Sequence, residues 1–199
     1  MSCIQKIKID DTIYTAKTDF RTAIKCNEIA KDTSIGNYER VLGIICTMFG
    51  TEAIDNIYHQ EKLLNWCLNY LSCGKEIEES NEEPSMDYVE DMDYIEASFM
   101  SDYQIDLENT EMDWHKFNKL INGLSNSDMG NCCILNRIRN IRTMDVKDIK
   151  DKKERDKIMK LKEEVALKRY KKENNLTKEQ EESMKKLDEI LKKGGVLWE

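Results

Sequence analysis

Asn37-Tyr38-Glu39-Arg40-Val41-Leu42-Gly43-Ile44-Ile45-Cys46-Thr47-Met48-Phe49-Gly50 reads as a helix and its stop. Val41, Ile44, Ile45 and Met48 recur at the spacing that stacks side chains on one helical face. Gly50 ends the pattern, and Thr51 is placed to cap the next helix. The same period continues on both sides. Asp19 caps a helix from Phe20, with Phe20, Ala23, Ile24 and Ala30 near one stripe. From Thr51 to Leu71, the positions Ile54, Ile57, Tyr58, Leu64, Trp66, Leu68 and Leu71 fit one helix or two short ones, with a wide apolar face. Cys73-Gly74 closes that region.

Before Asp19 the period changes. Gln5, Ile7 and Ile9 alternate with Lys6 and Lys8, Asp10-Asp11 forms a turn, and Thr12 to Thr15 is β-prone. Residues 3–16 therefore read as a hairpin, which must lean on the helices after it because a lone hairpin is marginal in water.

Beyond Gly74 the composition shifts. Residues 75–86 hold Glu76, Glu78, Glu79, Glu82, Glu83 and the single proline, Pro84, and read as an acidic linker. Helices are expected at 87–103 (Tyr88, Met92, Ile95, Phe99, Met100) and at 110–122, where Thr110 pairs with Asp113 as a cap and Asn122-Gly123 closes the turn. Another is expected from caps at Ser125 to Ser127 through Arg142. Asp145 is placed to cap a long charged helix to about Asn174, and Thr177 with Gln180 forms a capping box for a last one. The expected organisation is a hairpin plus helical N-terminal unit over 1–74, a linker over 75–86, a second helical unit over 87–144 and a charged helical extension over 145–199. The fold class is mostly α, with a short N-terminal β-hairpin packed on a multi-helix bundle and long charged C-terminal helices.

Composition agrees. Among 199 residues, 40% are hydrophobic and 35% charged, with one proline and eight glycines. So few turn residues argue against a sandwich or barrel. No run approaches the about 18 apolar residues of a membrane span, and the first residues lack a signal-peptide core. Seven cysteines, an odd number set mostly in apolar helical patterns, indicate inert thiols in a reducing cytoplasm rather than a disulfide framework.

Charge is unevenly spread. Residues 1–75 carry 9 basic and 9 acidic side chains, residues 76–113 carry 15 acidic and none basic, and residues 114–199 carry 22 basic and 15 acidic. The acidic middle repels nucleic acid and attracts basic partners.

Chemistry-bearing patterns are sparse. His59 and His115 have no metal spacing, Cys132-Cys133 is no zinc knuckle, and Asp91-x-Asp93 lacks the glycine of a calcium loop. There is no phosphate loop and no nucleophile elbow. We therefore expect no catalytic residue, no metal and no cofactor. Arg137, Arg139 and Arg142 read as a phosphate or acidic-partner patch or as an ion-paired face; in the first case residues 137–172 would serve a nucleic-acid-binding regulator, a role the acidic segment opposes. Tyr94, Phe99, Tyr103, Trp114 and Phe117 pack a core or present a partner-binding surface. Trp198, after two glycines, is docked on its own domain or grips a partner.

Taken in order, several segments resemble a known family: Thr18-Asp19-Phe20-Arg21-Thr22-Ala23 after the hairpin, Asp93-Tyr94-Ile95-Glu96-Ala97-Ser98-Phe99, Tyr103-Gln104-Ile105-Asp106-Leu107, Met112-Asp113-Trp114-His115-Lys116-Phe117, and Leu120-Ile121-Asn122-Gly123-Leu124. Over residues 4–165 they look like the tailed-bacteriophage family named after gene product fifteen. His115 departs from that pattern, which favours a second tryptophan there, and residues past 170 look like an extension. The resemblance implies a gene of the tail-morphogenesis cluster of a phage or prophage. By position there, it implies a tail assembly chaperone that binds the tape-measure protein in the bacterial host cytoplasm, with the tail-tube protein as a further partner and self-association. The alternative fate is a structural tail or connector component of the virion.

Overall fold

The computed structural model describes residues 3–75, 84–126, 132–147 and 149–171. The chain is mostly α-helical after a short antiparallel hairpin. Strand β1 (Ile4–Ile9) pairs with β2 (Thr12–Lys17), Ile9 opposite Thr12. Asp10 makes the turn at φ 51, a region that Asp tolerates better than most residues. Ile9 and Ala16 are buried on the inner face. Ile9 shares a cluster with Ile45, Ala53 and Leu63, so the helices cover the face a lone hairpin would leave wet. His59 reinforces the seat: one ring nitrogen lies 2.8 Å from the Tyr14 hydroxyl and the other 3.1 Å from Asp10.

Helix α1 (Phe20–Lys31) is capped by Asp19, which accepts from the Arg21 amide. Helix α2 (Asn37–Phe49) stops at Gly50, whose φ of 94 disfavours any other residue. The open alternative over 51–71 resolves into a 3₁₀ turn (Thr51–Ile54) and one helix, α3 (Ile57–Leu71). Asn56, not Thr51, caps α3. Its end is closed by Cys73 and Gly74 at positive φ, with the Gly74 amide donating to the Asn69 carbonyl.

Helix α4 (Met92–Tyr103) starts later than the periodicity predicts. Buried Asp87 accepts from the amides of Val89 and Glu90 and folds residues 87–91 into a turn, while Asp91 accepts from the Asp87 amide. Helix α5 (Trp114–Asn122) is capped by Asp113 itself, which accepts from the His115 amide; the pairing with Thr110 is not used. Helix α6 (Ile134–Thr143) begins well after the Ser125 to Ser127 caps proposed for it.

The two stretches expected as separate units share one core. The amide of Phe20 donates to the Met112 carbonyl and that of Trp114 to the Thr18 carbonyl, both at 2.9 Å, forming an isolated antiparallel bridge at Asp19 and Asp113. The described parts of Met1–Glu82 and Asp87–Arg139 accordingly make one compact unit. The acidic segment separates them in sequence only.

The second unit takes in Glu83–Met86 and the chain from Asn140. Its helix α7 (Lys152–Val165) is capped by Asp151, not Asp145, which instead accepts from Lys147 in a preceding turn. The helix ends at Ala166 and gives way to a short α8 (Lys168–Lys171), so the single long helix expected over 145–174 is broken. Arg142 donates to the carbonyls of Val165 and Ser85, and Lys162 to that of Met144. The Thr177–Gln180 capping box and Trp198 lie outside the described residues.

Candidate functional site

The aromatic residues singled out in the sequence are largely interior. Phe99, Trp114 and Phe117 are at most 2% exposed. Phe117 is their hub: its ring stacks on Phe20 at 4.3 Å, on Phe99 at 5.4 Å and on Trp114 at 5.9 Å. Tyr103 meets Phe99 edge-on at 5.6 Å and donates to the Leu120 carbonyl. Tyr94 is half-buried, and its carbonyl accepts from Ser98. Buried rings cannot grip a partner, so the proposed partner-binding role of Phe99, Trp114 and Phe117 gives way to core packing.

The segments behind the family resemblance meet in space. Thr18 bonds Trp114 through the backbone, Asp19 accepts from the Met112 amide at 3.1 Å, Phe20 stacks on Phe117, and Arg21 donates to the carbonyls of Leu107, Glu108 and Thr110. Four consecutive residues thus fasten α1 to the segment entering α5. Tyr70 completes the joint from α3, its hydroxyl 2.8 Å from Asp113. Burial first, and the Asp113 carboxylate second, push the Tyr70 phenol well above its ordinary value.

A cleft of about 530 Å³ opens beside this joint, between α1, the end of α3 and α5. Tyr88 and Leu71 supply apolar walls, with the buried Trp114 ring behind them; Asn27, Asn118 and Asn122 supply amides; Lys75 and Lys119 supply ammonium groups. The walls are held firmly. The Trp114 indole donates to the Leu71 carbonyl at 2.9 Å, and His115 contacts the Tyr70 carbonyl at 2.9 Å while stacking on the Tyr70 ring at 4.4 Å. Asn118 accepts from the Tyr88 hydroxyl and donates to the Trp114 carbonyl. An apolar floor, an amide rim and two cations suit a helical segment that presents apolar side chains flanked by acidic or amide groups.

Among the described residues, Trp114 is the only one proposed from sequence that lines this cleft. The polar rim was missed, although His115, Asn118, Lys119 and Asn122 follow one helical face and could have flagged it.

Other groups are accounted for structurally. Burial pushes the thiols of Cys26 and Cys67 up to about 12. None of the seven cysteines is in a disulfide. Arg139 donates to Asn136, and Arg142 uses its guanidinium on carbonyls. Among the described residues no cluster of His, Cys, Asp and Glu could hold a metal ion, and no helix is long and apolar enough to cross a membrane.

Compared with known proteins, residues 2–167 match the sequence model of a family described as bacteriophage Gp15 protein. No curated protein and no solved structure matches the chain.

Proposed function

Because the chain belongs to the Gp15 family of bacteriophage proteins, we propose that it is a tail assembly chaperone, binding the tape-measure protein in the host cytoplasm before the tube polymerises. The observation that supports this reading is the cleft walled by Tyr88 and Leu71 and rimmed by Asn118, Asn122, Lys75 and Lys119. A tape measure is a long helical chain with apolar stripes, and a partner that keeps it soluble must cover those stripes. An apolar-walled cleft with a polar rim does so without demanding one sequence, which suits repeated binding along the length. The role is non-enzymatic and requires no cofactor; the tail-tube protein is a further candidate partner.

Co-expression with a tagged tape-measure protein from the same gene cluster tests the proposal. The expected result is co-purification, with the tape measure soluble only in the presence of this chain, and heads without tails when its gene is deleted. Normal tails after deletion reject the proposal. Stoichiometric recovery from purified particles would replace it with a structural tail or connector role.

A further inference from the structure

The hairpin has two free edges of opposite character. In an antiparallel pair, every second residue pair exchanges hydrogen bonds, and the residues between them point their backbone groups outward. Ile9 opposite Thr12, flanking a two-residue turn, begins the bonded series. The Thr18 amide, 2.7 Å from the Cys3 carbonyl, continues it past the strand ends. The backbone groups of Ile4, Lys6 and Lys8 therefore point away from β2, and those of Ile13, Thr15 and Lys17 away from β1. Among the described residues none of these outward groups has a backbone partner.

The β1 edge carries Lys6 and Lys8, a device that keeps sheet edges from pairing. Two copies joined there would set lysines against each other. The β2 edge carries β-branched Ile13 and Thr15, and Ile13 is 63% exposed. Beside it an open groove of about 780 Å³ reaches the start of α3, where Ile57 and Tyr58 are also exposed.

We propose that two copies of the chain pair through β2, antiparallel about a two-fold axis at Tyr14, giving a four-stranded sheet. In this register Ile13 faces Thr15 of the second copy, and Lys17 faces Asp11 of the second copy. Both Asp11 and Lys17 are exposed, and neither is in an ion pair among the described residues. Two-fold symmetry makes the Asp11–Lys17 pair twice. Sliding the register by one bonded pair either way sets Lys17 against Ile9 or Ile13 and loses both ion pairs, so charge selects the register. Ile57 and Tyr58 then lie beneath the seam. This inference stands apart from the tape-measure reading and concerns a different surface.

Sedimentation of the full chain across the micromolar range tests it, with three variants. Thr15→Pro removes an outward amide but no bond within the hairpin, and is expected to sediment as a monomer with an unchanged far-ultraviolet spectrum. Lys17→Glu is expected to weaken the dimer about tenfold, and Asp11→Lys combined with Lys17→Glu to restore it. If Thr15→Pro perturbs the fold, the charge exchange decides alone. A wild-type monomer throughout the range overturns the proposal, as does a dimer that Lys17→Glu leaves unchanged.

Discussion

The Tyr70 hydroxyl lies 2.8 Å from the Asp113 carboxylate and 3.1 Å from the Thr18 carbonyl, sharing one proton between acceptors that belong to two other helix entries. Asp113 is also the cap of α5, and Thr18 also receives the Trp114 amide. A single buried phenol therefore ties α3 to the starts of α1 and α5.

Removing that hydroxyl tests the joint. Tyr70→Phe keeps the ring stacked between Trp66 and His115 and is expected to cost about 1–2 kcal/mol. Asp113→Ala loses both the Tyr70 bond and the cap, and is expected to cost more, about 2–3 kcal/mol. Urea midpoints of the two variants, at unchanged slope, check the order; equal midpoints for wild type and both variants would show that the joint carries no stability.

Phe117 and Tyr58 separate core from surface. Phe117→Ala empties the hub of the aromatic stack and should lower stability by about 3–5 kcal/mol. Tyr58, 86% exposed, should tolerate serine within about 0.5 kcal/mol. Thermal unfolding of both variants measures the contrast.

Thiol reactivity reports burial. At pH 8 the native protein should leave Cys26 and Cys67 unmodified by an aromatic disulfide reagent, because burial raises both thiols from an ordinary value of 9.0 to about 12. In urea all seven cysteines should react. Rapid native modification of either thiol, read by peptide mass mapping, would contradict the burial of Cys26 on α1 and Cys67 on α3.

The same shifts fix a pH dependence. The folded state holds these protons more tightly than the unfolded chain, so their stabilisation is complete below pH 9 and is lost as pH rises from 9 toward 12. Tyr70, raised in the same sense, adds to the loss above its ordinary value of 10.0. The urea midpoint should therefore fall between pH 9 and 10.5, and Cys26→Ala should flatten that fall.

In the charged C-terminal unit, the cap assignment is directly testable. Asp151→Ala should fray the first turn of α7 and cost that helix about 1 kcal/mol, whereas Asp145→Ala should leave it intact. Amide exchange over Lys152–Lys157 distinguishes the two.

Short-range features of this fold were legible in the sequence, since each depends on neighbouring residues alone. The Asp10-Asp11 turn, the Asp19 cap, the Gly50 stop and the spacing of Val41, Ile44, Ile45 and Met48 all stand where local chemistry puts them. Cap choice was less legible where several candidates compete: Asp145 or Asp151 and Thr110 or Asp113 are locally similar, and the chain path around them selects one. The candidate site was legible only at Trp114. Helical period shows which residues share a face, but not what covers that face. Core packing was therefore the default reading of Phe99 and Phe117, without a partner to name, until Phe117 is found stacked between Phe20 and Phe99.

What the sequence by itself determined is therefore the local alphabet: a hairpin, a succession of capped helices, an acidic interval and a charged C-terminal part. Only the tertiary structure decided that Thr18 to Arg21 closes on the segment from Leu107 to Phe117, across an interval that looked like a domain boundary. The reason is physical. The entropy of closing a long loop grows only slowly with its length, so a long acidic interval is a weak obstacle to a contact that buries three phenylalanines and satisfies the backbone at both helix entries.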